Sequence, residues 1–536
     1  VVDSERLSFL RQAIRPGPCP LDRFEFRWFH QEMKSSLFGV FIFVLTACAS
    51  APKSERSASI ESLITQAKNP NYAVIHSIGE GDSKYSVLAH SPVIRPLLKE
   101  NYASEDRDAI RYALGTSLDF AIDSRGLARA GDRVEADEAN PNYSDAVSVR
   151  ESLWVYLSLR ANPEDSAKAK RLLLTLADYF SSPAQIARFD AVVENPLILN
   201  TPEGGMKALH VRFDRRSAEF ADVTENGKPQ TWNHKQNDAL GLFLDLFCRA
   251  VLEGELKETD LTAERIAMVK RFPVYFNAVK FEAMADAGSW EELERVNTSS
   301  VALVTSGLER LALAYRSFPG LKLPLILGLI DRGYRTIEKQ IAAGGESPAY
   351  APEDRHFRQG DAALLNLIYP ARLSRLRRKH YEALLRAVSP LIGEIGIKRY
   401  REDPYQSGNF WFQAVRTDES GTEPQFSDRG SRFIEGTEAQ WFFDSWYSIA
   451  TAGMAKRYKD AHFAATSTRF LNRALAQITG GTPESPVLGA DGKPVPRLAL
   501  PESYNTIVDP HSKDRADAPS PVTPLNWAKA AMRLAL

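Results

Sequence analysis

The sequence predicts an all-α protein, and three observations carry that reading. Apolar residues recur at the helical period over roughly 105–123, 145–160, 165–180, 236–253, 261–285 and 299–317, and again over 325–342, 371–388, 438–456, 460–477 and 524–536. The Val/Ile/Thr alternation of strands is scarce, with 207–213 the best candidate for one short strand. Asn-, Gly- and Pro-rich stretches at 130–144, 191–206, 224–231, 401–436 and 480–523 punctuate the helices. About a dozen helices in pairs suit a helical solenoid or a closed helical toroid, and periodicity alone does not choose between them.

Taken in order, the chain first offers a targeting signal. Met33-Lys34-Ser35-Ser36 is a short basic start followed by an apolar run from Leu37 to Ala47. That run is too short to span a bilayer and has the length of a signal-peptide core. Its end, Leu45-Thr46-Ala47-Cys48, resembles a bacterial lipobox. The resemblance implies cleavage before Cys48 and acylation of that cysteine. Ala49, where an aspartate would retain the protein at the inner membrane, implies the outer membrane. Residues 1–32 are then an over-extended N-terminus, 33–47 the signal peptide, 48–60 a polar tether and 61–536 a single domain. Of the three cysteines only Cys248 remains in that domain, within the apolar run Leu242–Cys248, where it reads as a small core residue. No intramolecular disulfide and no cysteine metal site can be built.

The composition is that of a soluble globular protein, with 44% hydrophobic and 25% charged residues. A net charge of −1 offers no basic surface for nucleic acid. The nine histidines show no metal-ligand spacing, so neither a metal nor another cofactor is expected. No obligate protein partner is evident.

Chemistry gathers in five loop segments, each beside a helix end. They are Asn140–Ser152, Trp232–Leu240, Ala287–Glu294, Arg399–Tyr405 and Pro501–Asn505. Behind the third, a helix opens on Asn297-Thr298-Ser299-Ser300 and places Val301, Val304, Leu308 and Leu311 on one face. All five combine aromatic rings with Arg, Asp or Glu. A sugar needs both, since rings stack on its apolar face while charged groups bond its hydroxyls. Hydrolysis of a glycosidic bond needs two carboxyl groups, one protonated and one ionised. Taken alone, each segment reads equally as a helix cap or an ion pair; Trp290-Glu291-Glu292 in isolation is an acidic first turn.

In this order and with these spacings the segments resemble glycoside hydrolase family 15, the glucoamylases, and their relatives the phosphorylase kinase α/β subunits. Arg150-Glu151-Ser152 matches Arg-Asp-Ser/Asn, and Trp232, Gln236 and Asp238 match Trp-x-x-x-Gln-x-Asp. Trp290-Glu291-Glu292 matches Trp-Glu-Glu, and Arg399 to Tyr405 matches Arg-Tyr-x-Glu-Asp-x-Tyr. Glu502-Ser503-Tyr504, followed by Thr523-Pro524-Leu525-Asn526-Trp527, resembles the family's catalytic-base loop and last helix. The resemblance covers roughly residues 100–536. It implies an (α/α)6 barrel, a toroid of about twelve helices, and an exo-acting, inverting hydrolase that releases terminal glucose from an α-glucan or oligosaccharide.

Carried over, the resemblance makes Glu291 the general acid and Glu502 the base that activates water. Arg150, Glu151, Asp238, Glu292 and Arg399 would hold the terminal sugar, with Trp290 beside the acid and Trp232 stacking near the cleavage point. The chain departs from the family in places. Glu151 is one methylene longer than the usual aspartate, Ser148 replaces an aromatic, and His234 and Asn237 stand where glucoamylases carry arginines. Glu435–Trp441 resembles a phosphorylase kinase motif, which leaves a catalytically inactive glucan-binding or regulatory toroid as the alternative. Glu423 is a second candidate for the base; Glu502 is preferred because Thr-Pro-Leu-x-Trp follows it.

Overall fold

A computed structural model describes residues 53–131, 145–225, 227–413 and 423–536. The lipobox with Cys48, the segments before it and Asn140–Tyr143 lie outside the described residues. In chain order the helices are α1 (Lys53–Lys68), α2 (Ser104–Leu114), α3 (Val149–Arg160), α4 (Ser166–Phe180), α5 (Pro183–Glu194), α6 (Asn237–Leu252) and α7 (Ala263–Val279). They continue with α8 (Thr298–Leu313), α9 (Leu323–Ala343), α10 (Arg378–Val388), α11 (Glu423–Ser431), α12 (Phe443–Tyr458), α13 (Ala461–Ala476) and α14 (Asn526–Ala535), with one further helical turn at Gly204–Lys207. The strands are β1 (Val74–Ile78), β2 (Tyr85–Ala89), β3 (Ala146–Ser148), β4 (Arg212–Asp214), β5 (Thr224–Glu225), β6 (Lys228–Pro229), β7 (Gln440–Trp441), β8 (Ser503–Val508) and β9 (Arg515–Pro519).

Six elements form an inner ring: α3, α6, α8, a 3-10 segment at Ala362–Leu367, α12 and α14. Each packs on the next, and α14 closes back onto α3. That closure makes the molecule a toroid and rules out an open solenoid. The outer ring is α2, α4, α7, α9, α10 and α13, alternating in sequence with the inner elements. Position in the ring dictates the burial pattern. Inner α6 is buried from Asn237 to Ala250 and α8 from Thr298 to Glu309, on every side. Outer α4 buries only one stripe, Ala169, Leu172, Leu173, Leu176, Ala177 and Phe180 among it. Where α6 meets α8 the backbones touch, since a Cβ on Gly241 would stand 2.3 Å from the Val304 nitrogen. Trp154, Trp446 and Trp527 plug the centre, with ring centroids of Trp154 and Trp446 5.2 Å apart. Among the described residues no helix is long and apolar enough to cross a membrane.

The structure corrects several details. The strand expected over 207–213 is Arg212–Asp214 (β4), paired antiparallel with Ala146–Ser148 (β3), so the helix expected from 145 starts only at Val149. The helix expected over 371–388 starts only at Arg378, after the inner 3-10 segment and a non-helical stretch. Helix α5 was not expected at all. The segment 480–523, read as loop, contains strands Ser503–Val508 (β8) and Arg515–Pro519 (β9), and β8 also pairs with Gln440–Trp441 (β7). Every residue of β8 is buried, so it carries no alternation to betray it.

The residues read as tether are helical from Lys53 onward. Ile60, Leu63 and Ile64 of α1 make a small second core with Ala490, Ile507, Ala516 and Ala518. Gln66 Nε2 donates to Leu488 O at 3.1 Å, and Tyr72 OH donates to Asp517 O at 2.7 Å. Helix α1 therefore seats on the β8–β9 ribbon that leads out of Glu502.

Candidate active site

The predicted residues sit at the N-terminal ends of the inner elements or in the loops that lead into them. Arg150 and Glu151 lie in the first turn of α3, and Asp238 in that of α6. Ser289–Glu292 precedes α8, Asp361 precedes the inner 3-10 segment, Trp441 precedes α12, and Trp527 opens α14. One cavity of about 60 Å³ is lined by Arg150, Glu151, Trp290, Glu291, Arg399 and Glu502. Tyr405, Arg429, Trp441 and Trp527 share its wall. A larger cleft of about 950 Å³ touches Tyr400 from the far side but is lined by none of the predicted residues.

Backbone geometry splits the two adjacent acids. The turn Gly288–Trp290 ends on Glu291 in the left-handed region, at φ 58° and ψ 36°. For a residue with a Cβ that conformation costs about 1–3 kcal/mol, which surrounding contacts must offset. The Glu291 amide donates to Gly288 O at 3.3 Å and the Glu292 amide to Ala287 O at 3.2 Å. The twist sends Glu291 to the cavity and Glu292 into the protein.

Arg150 holds the first acid. Its Nε and Nη2 fork onto Asp238 at 2.6 and 3.2 Å, while Nη1 donates to Glu291 Oε1 at 3.1 Å. Nη2 also reaches Gln236 Oε1 at 2.8 Å and Gly288 O at 3.1 Å. Ser289 Oγ donates to Asp238 Oδ2 at 3.1 Å, which ties the acid loop to α6. Burial works against the charge on Arg150, but the carboxylates of Asp238 and Glu291 outweigh it and push its pKa up.

Arg399 does the same for the second acid. It forks onto Asp403 at 2.6 and 2.7 Å and donates to Glu292 Oε1 at 2.6 Å, while Tyr400 OH donates to Glu292 Oε2 at 2.5 Å. Its guanidinium lies 5.6 Å from the Trp290 ring centroid, 4.8 Å from that of Tyr405 and 5.1 Å from that of Trp441. Burial opposes the charge on Glu292, but Arg399, Arg429, Arg358 and Arg295 outweigh it and hold its carboxyl down at about 2. Trp290 is fixed in turn by an Nε1–H donated to Asp361 Oδ1 at 2.8 Å.

Glu502 stands just before β8. Its amide donates to Val522 O at 3.0 Å and its carbonyl accepts from the Phe442 amide at 3.3 Å. Its side-chain Oε2 accepts from Gln406 Nε2 at 2.6 Å and Ser520 Oγ at 3.4 Å.

Asp238 and Glu292, expected to hold the sugar, are buried behind the cavity and are not among its lining residues; they hold Arg150 and Arg399 instead. Two further predicted features lie elsewhere. Trp232 is buried beneath Arg212, whose guanidinium is 3.8 Å from its ring centroid, and it is not among the cavity-lining residues. In Glu435–Trp441 only the tryptophan reaches the cavity. Glu438 turns away to Lys398 Nζ at 2.8 Å, and Glu435 is exposed. Glu423 opens α11, with its side chain outside the described ones. His234 stacks on His210, ring centroids 3.7 Å apart, and burial pushes its pKa far down. Among the described residues no group of three or more His, Cys, Asp or Glu is arranged to hold a metal ion. Sequence reasoning missed Gln406, Tyr405, Arg429 and Trp441 as site residues. Of these only Tyr405 and Trp441 stood in a motif that pointed to them.

No family model matches the chain. The uncharacterized lipoprotein YgeQ of Escherichia coli (strain K12) is 36% identical over 207 residues, which is 38% of this chain and 78% of the relative. Among solved structures a wild-type glycosidase aligns with a TM-score of 0.52 at 15% identity, covering 81% of this chain and 98% of that one. The glucoamylase from Saccharomycopsis fibuligera aligns with a TM-score of 0.51 at 14% identity, covering 82% and 95%. The chain thus has the toroid fold of glycosidases and glucoamylases.

Proposed function

The chain belongs to the family of the Escherichia coli lipoprotein YgeQ, and from that premise and the geometry of its cavity we propose that it is a lipid-anchored glycoside hydrolase. In this reading it releases terminal glucose from an α-glucan or α-glucoside with inversion. The observation that carries it is the meeting of Arg150, Glu151, Trp290, Glu291, Arg399 and Glu502, distant in sequence, on one cavity. Glu291 would give its proton to the glycosidic oxygen as the bond to C1 breaks. Glu502 would take a proton from a water that attacks C1 on the opposite face, and inversion needs the two carboxyl groups about 6.5–9.5 Å apart. Arg150, Glu151 and Arg399 would orient the ring, which brings the reacting atoms into line, with Glu292 holding Arg399 from behind.

The test is hydrolysis of maltose, isomaltose, trehalose and soluble starch by the wild type and by Glu291→Gln and Glu502→Gln. Each variant should lose at least about 100-fold in kcat, the scale of a general acid or base, while calorimetric binding of the sugar persists. Full activity in both would end the assignment. A second reading, a glucan-binding toroid without turnover, is favoured by one contact: the Arg150 bond occupies Glu291 Oε1. Binding with no glucose released by the wild type would support it. For the anchor, we expect labelled palmitate to be incorporated at Cys48 and lost in Cys48→Ser. Unchanged labelling in that variant would refute lipidation there.

A further inference from the structure

We propose that Trp411, Asn505 and Gln406 form a hydrogen-bond relay of fixed polarity ending on Glu502, with Gln406 as its positioning residue. The inference rests on the reading of Glu502 as the base.

Each link fixes the next. An indole N–H can only donate, and that of Trp411 points at Asn505 Oδ1, 3.1 Å away. The oxygen of the Asn505 amide is thereby assigned, so its NH2 faces the other way. That NH2 donates to Gln406 Oε1 at 3.1 Å and also to the Gln406 backbone carbonyl at 3.1 Å. Ser503 Oγ donates to the same Oε1 at 2.7 Å. With its oxygen so engaged, Gln406 presents its own NH2 to Glu502 Oε2 at 2.6 Å. Flipping the Gln406 amide would set two NH2 groups against each other and leave Glu502 facing a carbonyl.

Gln406 is fully buried, yet its backbone sits at φ 58°, a conformation that side chains other than glycine's avoid. That turn sets the Gln406 amide, just beyond the loop Arg399–Tyr405, against Glu502 at the entry to β8. A donor held against one carboxylate oxygen favours the ionised form. It also restrains the rotation of that carboxylate.

The experiment is the pH dependence of kcat/KM on whichever of maltose, isomaltose, trehalose or soluble starch the wild type cleaves fastest. Gln406→Glu sets a second carboxyl beside Glu502, and two acids at that distance share a proton. Its acid limb should move up by about one pH unit or more. Trp411→Phe keeps an aromatic ring and loses the N–H, so the amides become free to turn and the limb should move the same way by less. Should Gln406→Glu fail to fold, Trp411→Phe carries the test. Folded variants whose acid limbs coincide with the wild type would overturn the relay, even if their melting temperatures fall. Retained activity in Glu502→Gln would instead remove the base reading on which the relay depends, so the two failures are distinguishable.

Discussion

Glu291 and Glu292 are neighbours in sequence and opposites in surroundings. The Glu291 side chain is 18% exposed and leans on one guanidinium nitrogen, whereas that of Glu292 is 1% exposed and holds both Arg399 and Tyr400. Removing one partner of a buried pair leaves an uncompensated charge and costs about 3–5 kcal/mol. Glu292→Gln should therefore lower unfolding stability by about that amount. Glu291→Gln, whose amide oxygen still accepts from Arg150, should change it by about 1 kcal/mol or less. Urea unfolding of the two variants checks this, and equal losses would contradict the division of the pair. The acids themselves were legible only through the other four segments, since Trp290-Glu291-Glu292 alone reads as an acidic first turn. Gln406 and Arg429 were not, because one glutamine or arginine in a long polar stretch resembles any surface residue. Trp232 was misleading for the converse reason. Its motif spacing is that of a sugar-binding ring, but the ring is buried against the Arg212 guanidinium and does not line the cavity.

At the scale of elements, the inner helices begin on carboxyl groups supplied from other loops. The Asn237 amide at the start of α6 donates to Asp286 Oδ2 at 2.8 Å, and Asn297 Nδ2, just before α8, donates to Asp286 Oδ1 at 2.8 Å. The Ser299 amide in α8 donates to both Glu346 oxygens at 3.2 Å. Burial, with the field of Asp238, raises the Asp286 carboxyl to about 7; burial, with that of Asp361, raises Glu346 to about 8. In the unfolded chain both groups titrate near about pH 4. The folded state therefore binds more protons between these values, and its stability falls as pH rises through that window. We expect the denaturant midpoint to decline from about pH 5 to about pH 8, and Asp286→Asn with Glu346→Gln to flatten the decline. A slope unchanged in the double variant would rule these groups out as its cause. None of this was readable beforehand, since caps drawn from distant loops leave no local signature. The helices themselves were readable wherever one face is apolar, as in α4. Helix α5 escaped because only Ser181 and Ser182 part it from α4, and β8 escaped because both its faces are buried.

For the whole molecule, the ring of inner helices was not contained in the periodicity, which suits a solenoid equally well. The order of the sugar-type segments pointed to closure, and the packing of α14 on α3 supplies it. What no segment foretold is that the ribbon leading out of Glu502 packs against the start of the described chain. Helix α1 runs from the Pro519 end of the β8–β9 ribbon, where Ser59 meets Gly492 and the Ala490 amide bonds Pro519 O at 2.8 Å, to the hairpin end, where Lys68 pairs with Asp514 at 2.7 Å. It thus braces the full length of the ribbon that leads out of Glu502, and Trp411 packs on the same small core. Leu63 is the centre of that brace, 1% exposed. Leu63→Ala should cost about 2–5 kcal/mol, as other buried leucines do. Leu172→Ala, equally buried but in outer helix α4, should cost a similar amount and serves as the control. At a temperature where both variants are folded, kcat should fall only in Leu63→Ala, because only there does the lost packing loosen the strand behind Glu502. Equal kcat in the two variants would mean that α1 stabilises the fold without contributing to the placement of the base.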